Sequence, residues 1–303
     1  MKIATFNLRN LFDVGWQNSG DGKIIATQEF VDKVVDSAGK TINSIGPDIL
    51  VAQEIGSEKL FNEIAKGQIN KYKTFIAKPD ARGIANGAMF SIPAEGYSVE
   101  DVTGFPVFVE NQEDNIGKSI SSYRQFVHIK TLYNNKPLHL FGVHLKAFSG
   151  IQQKSVNGEK LPICNQCDAG DALIRALIYR LAQARHLREI IDELFAEDTK
   201  AQIIVLGDFN ATEGQEILSI IKGKLENVDT QLDNACELIA KEKRYSHIWH
   251  GEKLLIDHIL ISKNLKKKVI KLEIMNEAIV DQSELSEYTF YESDHAPVVL
   301  TLI

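Results

Sequence analysis

The sequence predicts an α/β fold in which helices and strands alternate along the chain. Residues 27–45 carry apolar side chains at a helical period, and Gly46-Pro47 ends that helix before the apolar run at residues 49–52. A second apolar stripe at helical spacing covers about residues 172–195 and precedes a buried-type strand at residues 203–206. A helix followed by a short apolar strand, twice in one chain, is typical of mixed α/β architecture.

Shorter apolar runs indicate the remaining strands. They lie at about residues 88–92, 126–132, 138–145, 256–262 and 297–302. No Ser/Gly-rich or Pro-rich linker and no repeat divides the chain, so we expect a single domain over residues 1–303. Residues 146–171 are polar and contain glycine, which predicts a long loop inserted in that domain.

The composition excludes several classes of protein. The chain has 303 residues, of which 44% are hydrophobic and 25% charged, so a disordered or fibrous protein is excluded. No stretch approaches the ~18 apolar residues that a membrane helix needs. Residues 1–7 predict a strand rather than an apolar leader, so the sequence fits a cytoplasmic protein or an exported one whose leader has been removed. We expect a monomer.

The charge balance limits the partners. The formal net charge is −7, so a nucleic acid or other polyanion must meet local lysines or a bound cation rather than a positive surface. Three cysteines are too few for a disulfide scaffold.

The polar residues that suit chemistry share one position, since each lies at or near the end of an apolar, strand-like run. They are Asn7, Glu54, His144, Asp208, Asn210, Asp257, Asp294 and His295. Taken alone, each has an ordinary structural explanation, such as a turn at residues 207–210 or a core position for His144. Together they place carboxylates, amides and imidazoles on a rigid sheet edge, which predicts a polar functional site.

The segments around these residues resemble the endonuclease/exonuclease/phosphatase family, whose best-known members are deoxyribonuclease I and exonuclease III. The matching segments occur in family order, at residues 5–9, 53–54, 142–145, 207–210, 256–260 and 293–295. The resemblance implies a four-layer α/β/β/α sandwich of two packed mixed β-sheets flanked by helices. Arg180 and Gln183 also fit a family pattern, although we expect them on a solvated helix face.

The resemblance assigns a role to each metal- or water-related side chain. Glu54 would bind a divalent metal ion, with Asn7 and Asp294 completing or orienting that site. Asp208 and Asn210 would align the attacking water and hold the phosphate. Carboxylate and amide oxygens are hard ligands, which favours Mg²⁺ as the cofactor with Mn²⁺ as a possible substitute.

The remaining residues would move protons or contact the substrate. His295, oriented by Asp257, would act as the general base, and His144 would contact a phosphate oxygen or help protonate the leaving group. Arg9 matches the arginine that faces the substrate in the deoxyribonuclease I branch, and Arg124 falls where that branch also carries an arginine near the site, so we expect both to bind the substrate. An activated water, charge neutralisation and a stabilised leaving oxygen are what phosphoester hydrolysis requires.

These roles predict a Mg²⁺-dependent phosphodiesterase, with a nuclease acting on DNA or RNA as the first interpretation. A phospholipid phosphodiesterase of the sphingomyelinase kind is the alternative, for which residues 105–109 are the nearest membrane-contacting candidate. An inositol phosphate phosphatase is a further alternative, but residues 255–258 depart from the Trp-Cys-Asp-Arg run of that branch. Arg9 breaks the Asn-x-Asp opening of base-excision endonucleases. A catalytically inactive binding module is disfavoured because every predicted catalytic side chain is present in type and order.

The predicted loop carries two further features. Lys146, Lys154 and Lys160 make it a candidate substrate-facing lid, because it leaves the strand that ends at His144. The Cys164-Asn165-Gln166-Cys167 segment lacks the second pair of ligands that zinc requires, so a local disulfide or two free thiols are favoured. A disulfide would indicate a compartment outside the reducing cytosol.

Overall fold

The computed structural model describes residues 1–17, 26–100, 124–155, 157, 160–224, 228–284 and 290–303. One six-stranded sheet is built from β1 (Lys2–Leu11), β2 (Ile49–Ile55), β3 (Lys73–Ile76), β4 (Ala85–Phe90), β13 (Val269–Ile274) and β14 (Val298–Leu302). The other is built from β5 (Ala94–Ser98), β6 (Val127–Tyr133), β7 (Lys136–His144), β8 (Gln202–Asp208), β9 (Leu232–Asn234) and β12 (Asp257–Ser262). Their strand orders are β13-β14-β1-β2-β4-β3 and β5-β6-β7-β8-β12-β9, and both sheets mix parallel and antiparallel pairs.

The other elements of the described residues are a hairpin, five helices and short 3₁₀ turns. The hairpin pairs β10 (His247–Trp249) with β11 (Glu252–Leu254). The helices are α1 (Gln28–Ile45), α2 (Glu58–Lys66), α3 (Gln166–Glu197), α4 (Glu216–Lys222) and α5 (Lys263–Lys266). The 3₁₀ turns lie at Val228–Thr230, Ala235–Leu238, Lys241–Lys243 and Gln282–Glu284.

Three apolar clusters separate four layers. Alternate residues of the strands point to opposite faces, so that Ile3 and Val51 face the second sheet whereas Ala4 and Leu50 face α1 and α2. A third cluster packs α3 and α4 on the outer face of the second sheet. The fold is therefore an α/β/β/α sandwich of two mixed sheets flanked by helices, as the family resemblance implies.

The first predicted helix and the strand after it are confirmed. The Thr27 side chain caps α1 by accepting a hydrogen bond from the Phe30 N–H, and the helix ends at Gly46 with φ 55°. β2 then begins at Ile49, and β8 contains the predicted strand at residues 203–206. The weaker strand predictions match β4, β6, β7, β12 and β14 with shifts of a few residues at their ends.

The predicted loop at residues 146–171 is wrong over its last six residues. α3 begins at Gln166, because the Asn165 side chain caps it by accepting a hydrogen bond from the Asp168 N–H. The first turns of α3 are largely exposed, so they lack the buried apolar stripe by which the sequence marks the rest of the helix. Cys164 and Cys167 lie at this helix start as free thiols.

Two glycines let backbones approach closely next to the predicted site. Gly207, which precedes Asp208, has φ 142°, and a Cβ atom there would lie 2.0 Å from the Val143 carbonyl oxygen of β7. A Cβ atom on Gly142 would lie 2.4 Å from Val51 Cγ1 of the other sheet. The ends of β7 and β8 are therefore drawn against each other and against the first sheet.

Among the described residues, no helix combines the length and the apolar character that crossing a bilayer requires. The membrane-contacting candidate at residues 105–109 lies outside the described residues.

Candidate active site

The central strands of the two sheets end near one another, and the predicted site residues lie there. In the second sheet, Asp208 at the end of β8 pairs with His144 of the parallel strand β7 and with Asp257 of the antiparallel strand β12. Asn7 of β1 donates from Nδ2 to Asp208 Oδ2 at 3.3 Å, which joins the first sheet to the second. Asp208 is therefore the centre of a polar cluster to which both sheets contribute.

Glu54 lies where the pairing of β1 with β2 becomes irregular. The regular register stops after Asn7, and Glu54 alone then faces three residues of β1. Glu54 has φ 61° and Arg9 has φ 47°, a left-handed conformation that non-glycine residues adopt only where their surroundings enforce it. Irregularities of this kind re-aim side chains beside functional sites. The Glu54 side chain is 21% exposed, and its Oε1 lies 3.9 Å from His144 Nε2.

Asp257 and His295 form a buried hydrogen-bonded pair. The His295 Nδ1–Asp257 Oδ2 distance is 2.8 Å, and the Ser246 hydroxyl donates to the same oxygen at 2.7 Å. The hydrogen bond places a proton on Nδ1 and leaves Nε2 of His295 as the atom that can exchange a proton or face an oxygen. The other carboxylate oxygen of Asp257 accepts no hydrogen bond from the described residues.

The charges around His295 favour its protonated form. Burial lowers the pKa of the imidazole, but Asp257, Asp208 and Asp294 raise the pKa well above its ordinary value. His295 is therefore charged at neutral pH when no cation lies beside it. A cation bound nearby would lower that pKa towards neutrality, where a histidine exchanges protons most readily.

Asp208 and Asn210 are oriented by the backbone after β8. The Asn210 N–H donates to Asp208 Oδ1 at 2.8 Å, and Asn210 Nδ2 donates to the Leu145 carbonyl at 3.2 Å. Asn210 adopts φ 46°, which an asparagine tolerates. Burial raises the pKa of Asp208 to about 7, with His295 acting against that rise and Asp257 in its favour. The side chains can thus hold a polar ligand in a fixed direction.

His144 lies between Asp208 and Arg124. Its Nε2 is 3.3 Å from Asp208 Oδ2, and Arg124 Nη1 lies 2.7 Å from the same ring nitrogen. Burial and then the neighbouring positive charges, Arg124 first, hold the pKa of His144 well below its ordinary value. A neutral imidazole favours a hydrogen bond to a phosphate oxygen over protonation of a leaving group.

Asp294 and Arg9 form the first-sheet side of the cluster. Arg9 Nε lies 3.8 Å from Asp294 Oδ1, and the Arg9 guanidinium lies 5.1 Å from the centre of the Phe290 ring. The Asp294 carbonyl oxygen accepts a hydrogen bond from His247 Nδ1 at 3.1 Å. Arg9 therefore reaches the cluster from β1 of the first sheet, and Arg124 from the segment that precedes β6 of the second.

The chemistry of the donors fits a divalent cation. Asn7, Glu54 and Asp294 offer amide and carboxylate oxygens, the ligand atoms that Mg²⁺ prefers. Within the described ranges, two groups of three His or Asp side chains bring their ligand atoms within 4.8 Å of one another. These groups are Asp208–Asp257–His295 and His247–Asp294–His295. Glu54 is in neither group, and the set of Asn7, Glu54 and Asp294 as metal ligands stays a prediction.

The expected solvated positions of Arg180 and Gln183 are wrong. Both side chains are buried between α3 and the strand ends. Arg180 Nη1 donates to the Asn210 carbonyl at 2.9 Å, and Gln183 Oε1 accepts a hydrogen bond from the Lys146 N–H at 2.9 Å. They fix the backbone that follows β7 and β8, because these carbonyl and N–H groups have no partner in the sheet.

The predicted lid lysines take different positions. Lys146 is buried and donates from Nζ to the Ser149 carbonyl at 2.8 Å. Burial lowers the pKa of Lys146 to about 8, and Arg124 is the largest of the positive charges acting in the same direction. Lys154 and Lys160 are exposed partners of a single β-bridge, and the lid remains a prediction.

Three residues at the site are absent from the sequence-based prediction. Asp80 Oδ2 lies 3.5 Å from Arg124 Nε and 2.8 Å from Arg82 Nη2, and Ser246 holds Asp257. An Asp three residues before a Gly indicates only a turn, and Ser246 follows a charged segment without periodicity. No sequence signal therefore ties them to the site.

The comparison of sequences identifies one family. Residues 170–295 match the family model described as "Endonuclease/Exonuclease/phosphatase family". The matched region contains Asp208, Asn210, Asp257, Asp294 and His295. None of the curated proteins compared with the chain matches it.

Solved structures share the fold over the whole chain. Truncated TDP2 of Caenorhabditis elegans has a TM-score of 0.59 and 15% identity, covering 99% of this chain and 96% of that one. Mannosyl-6-phosphatase of Bacteroides thetaiotaomicron has a TM-score of 0.56 and 15% identity, covering 100% and 99%. The human Nocturnin catalytic domain, with bound sulfate anion, has a TM-score of 0.54 and 14% identity, covering 99% and 93%.

At such identities the structural likeness shows the fold alone, whereas the family model adds a match in sequence. Together with the polar site at the strand ends, these findings support a phosphoester hydrolase activity. Residues 170–295, less than half of the chain, thus match the endonuclease/exonuclease/phosphatase family in sequence, and the whole chain shares the fold of the solved structures.

Proposed function

We propose that the protein is a divalent-metal-dependent phosphodiesterase that hydrolyses nucleic acid. The observation that carries the proposal is the Asp257–His295 pair held beside Asp208, at the edge where Asn7 and Glu54 supply oxygen ligands. A base with a fixed tautomer, an oriented carboxylate and a cation site are the parts that phosphoester hydrolysis by water needs.

The cation would be held by Asn7, Glu54 and Asp294, and it would be Mg²⁺ or Mn²⁺. When bound, it neutralises the phosphate charge and stabilises the oxygen that leaves. The Arg9 N–H donates to Asn7 Oδ1 at 2.9 Å and thereby orients the amide of Asn7. Ser293 Oγ donates to the Asn7 carbonyl at 2.7 Å, which ties the Asp294 segment to β1.

The chain's own side chains would manage the proton and the water. His295 Nε2 accepts a proton from the attacking water, while Asp257 keeps the other ring proton on Nδ1 and stabilises the imidazolium that forms. Asp208 and Asn210 align that water, since both are oriented by backbone hydrogen bonds. Asp257 acts through His295, so it is a positioning residue.

The phosphate oxygens would be held from the second sheet. His144 is neutral and buried beside Asp208, so it can donate a ring N–H to an oxygen. Arg124 and Arg9 add positive charge on different sides of the centre. Charge on both sides suits a chain of phosphates, which supports nucleic acid as the substrate.

A phosphomonoesterase acting on a sugar phosphate is the second candidate. It is favoured by the likeness of fold to the Bacteroides mannosyl-6-phosphatase and by the net charge of −7, which disfavours long polyanions. Phospholipids and inositol phosphates are further possible substrates, and the hydrolysis panel described below distinguishes them.

The test is a hydrolysis panel on the purified chain with Mg²⁺, Mn²⁺ or EDTA. The substrates are plasmid DNA, single-stranded DNA, RNA, mannose 6-phosphate, sphingomyelin and inositol phosphates. His295→Ala is the inactive variant, and His250→Asn is the matched control because His250 is exposed and its φ of 48° suits asparagine.

Cleavage of nucleic acid that needs the metal and is lost only in His295→Ala supports a nuclease. Turnover confined to mannose 6-phosphate, phospholipid or inositol phosphates would assign the chain to that branch instead. A wild-type protein inactive on the whole panel would contradict the proposal.

A further inference from the structure

We propose that Arg82 and Arg124, which share the buried carboxylate of Asp80, form a subsite for a second phosphate group of the substrate, beside the phosphate that is hydrolysed. The inference rests on the proposed function for the position of the first phosphate. It adds that the preferred substrate carries at least two phosphate groups.

A tight turn fixes Arg82 between β3 and β4. Asp80 Oδ1 accepts hydrogen bonds from the N–H groups of Arg82 at 2.8 Å and Ile84 at 3.2 Å. The Gly83 N–H donates to the Asp80 carbonyl at 2.9 Å, and Gly83 has φ 81°, which favours glycine. These hydrogen bonds hold the Arg82 backbone in place and so fix the position of its Cα atom, from which the side chain extends.

One carboxylate serves two guanidinium groups. Arg82 donates to Asp80 Oδ2 from Nη2 at 2.8 Å and from Nε at 3.2 Å, and Arg124 Nε lies 3.5 Å from the same oxygen. Arg124 is 5% exposed, and its Nε donates no hydrogen bond within the described residues. A buried guanidinium with an incompletely satisfied donor costs free energy, and a second anion beside the Asp80–Arg124 pair would offset part of that cost.

The surroundings are rich in positive charge. Arg124 and Arg82 both lower the pKa of His144 and of Lys146, and Arg180 also lowers the pKa of Lys146. The carboxylates of Glu54, Asp80 and Asp208 raise the pKa of Arg124.

Two of these three carboxylates, Glu54 and Asp208, belong to the catalytic centre, so only Asp80 lies within the subsite itself. The two guanidinium groups of the subsite, Arg82 and Arg124, therefore exceed its one carboxylate in charge, and a net positive charge favours the binding of an anion.

A series of contacts places the subsite beside the centre. Asp208 Oδ2 lies 3.3 Å from His144, whose ring nitrogen lies 2.7 Å from Arg124, and Asp80 joins Arg124 to Arg82. Arg82 is therefore connected to Asp208 through His144, Arg124 and Asp80, in that order.

The Arg82 side chain is open to a ligand. It is 58% exposed, and its Nη1 makes no hydrogen bond in the part of the chain that the structure describes. A guanidinium with a free N–H, fixed by a carboxylate on its other edge, is prepared to bind a phosphate oxygen.

The test measures binding in EDTA, so that metal chelation does not contribute. Inorganic phosphate and inorganic diphosphate are titrated calorimetrically into wild type, Arg82→Gln, Arg82→Lys and Arg185→Gln. Arg185 is the matched control, because it pairs with Glu189 on the outer face of α3, away from the site.

We expect wild type to bind diphosphate more tightly than phosphate, and Arg82→Gln to weaken diphosphate binding about tenfold and phosphate binding by a smaller factor. Arg82→Lys should restore part of the loss, and Arg185→Gln should behave as wild type. A thermal midpoint of Arg82→Gln close to wild type separates lost binding from lost folding. Equal binding of the two anions by wild type, or an unchanged preference in Arg82→Gln, would overturn the subsite.

Short thymidine oligonucleotides identify the source of the second phosphate. A dinucleotide with one internal phosphate is compared with its 5′-phosphorylated form and with a trinucleotide that has two internal phosphates. A gain only for the 5′-phosphorylated dinucleotide assigns a terminal phosphate, and a gain for the trinucleotide assigns the neighbouring phosphodiester. The diphosphate titration does not depend on turnover. The subsite can therefore be supported when the nuclease assignment fails, and the nuclease assignment can be supported when the subsite fails.

Discussion

Asp208 and Asp257 are direct partners across the antiparallel pair of β8 and β12, and both side chains are buried. Two carboxylates side by side in the protein interior repel each other and lack solvation. His295 offsets this, since one ligand atom from each of the three residues lies within 4.8 Å of the others. The imidazolium and the two carboxylates therefore form one electrostatic unit, and a change in any member alters the protonation of the rest.

Asp257→Asn tests whether His295 depends on its carboxylate. We expect kcat to fall by about 10²- to 10⁴-fold with little change in KM, because the amide no longer fixes the ring proton on Nδ1 or stabilises the imidazolium. Since Asp257 raises the pKa of His295, the low-pH limb of the kcat profile should also shift to lower pH in the variant. Steady-state kinetics between pH 5 and 9 on the substrate found in the panel measures both effects.

Ser246→Ala is the comparison for Asp257→Asn, because it removes the second hydrogen bond to the same carboxylate oxygen and the acceptor of the Ile256 and Asp257 N–H groups, but keeps the carboxylate itself. Since His295 keeps its hydrogen bond to Asp257 in this variant, kcat should fall by less than about tenfold. Equal kcat values and equal pH limbs for Asp257→Asn and wild type would contradict the role of Asp257.

Asp208→Asn should abolish turnover and yet stabilise the metal-free protein at pH 8. Burial raises the pKa of Asp208 to about 7 in the folded chain, so the folded state binds more protons than the unfolded state above pH 4. The stability that Asp208 contributes is therefore present at low pH and lost as the pH rises from about 4 through about 7. Urea denaturation in EDTA should give the variant an advantage of the order of 1 kcal/mol at pH 8 and a smaller one at pH 5.

A metal-free Asp208→Asn protein that is less stable than wild type at pH 8 would contradict this electrostatic account. Asp36→Asn is the matched control, since Asp36 lies on the exposed face of α1 and pairs with Lys40. Its stability should follow that of wild type at both pH values.

Glu54→Gln should weaken Mg²⁺ and Mn²⁺ binding by at least tenfold. The change replaces a negative ligand by a neutral amide of the same shape at a residue held at φ 61°. Glu58→Gln is the control, because Glu58 is exposed in the first turn of α2. Calorimetric titration with Mn²⁺ measures the affinities directly, and equal affinities in Glu54→Gln and wild type would remove Glu54 from the cation site.

The sequence could predict the strand-end residues because each follows an apolar run whose length and direction fix its position. His144, Asp208 and Asp257 lie at the ends of β7, β8 and β12 for this reason. The sandwich itself depended on the family resemblance, since periodicity does not reveal which strands are neighbours. Their order in the sheets places residues from opposite ends of the chain together, such as Asn7 and Ser293.

The sequence could not predict contacts made by buried polar side chains through space. Arg180 lies among helix positions that look solvated, and only the tertiary structure shows that it bonds the Asn210 carbonyl. Asp80 and Arg124 are separated by 44 residues of chain, so no local pattern links them. The first turns of α3 were missed for the related reason that exposed helical turns carry no apolar stripe.

The stability of the fold should fall in acid through His128, which pairs with Phe141 across β6 and β7. Burial lowers the pKa of His128 to about 3, with His139 and Lys130 acting in the same direction, and its ring stacks on Phe141 at 4.3 Å. The unfolded chain therefore binds more protons than the folded one between about pH 3 and 6.5, and stability is lost as the pH falls through that window. His128→Phe keeps an aromatic ring against Phe141 and removes the titrating group. Between pH 6.5 and pH 4.5 its free energy of unfolding, measured by urea denaturation, should therefore fall by about 2 kcal/mol less than that of wild type. His250→Asn, which removes an exposed histidine, should follow wild type, and parallel losses in all three proteins would exclude His128 as the cause.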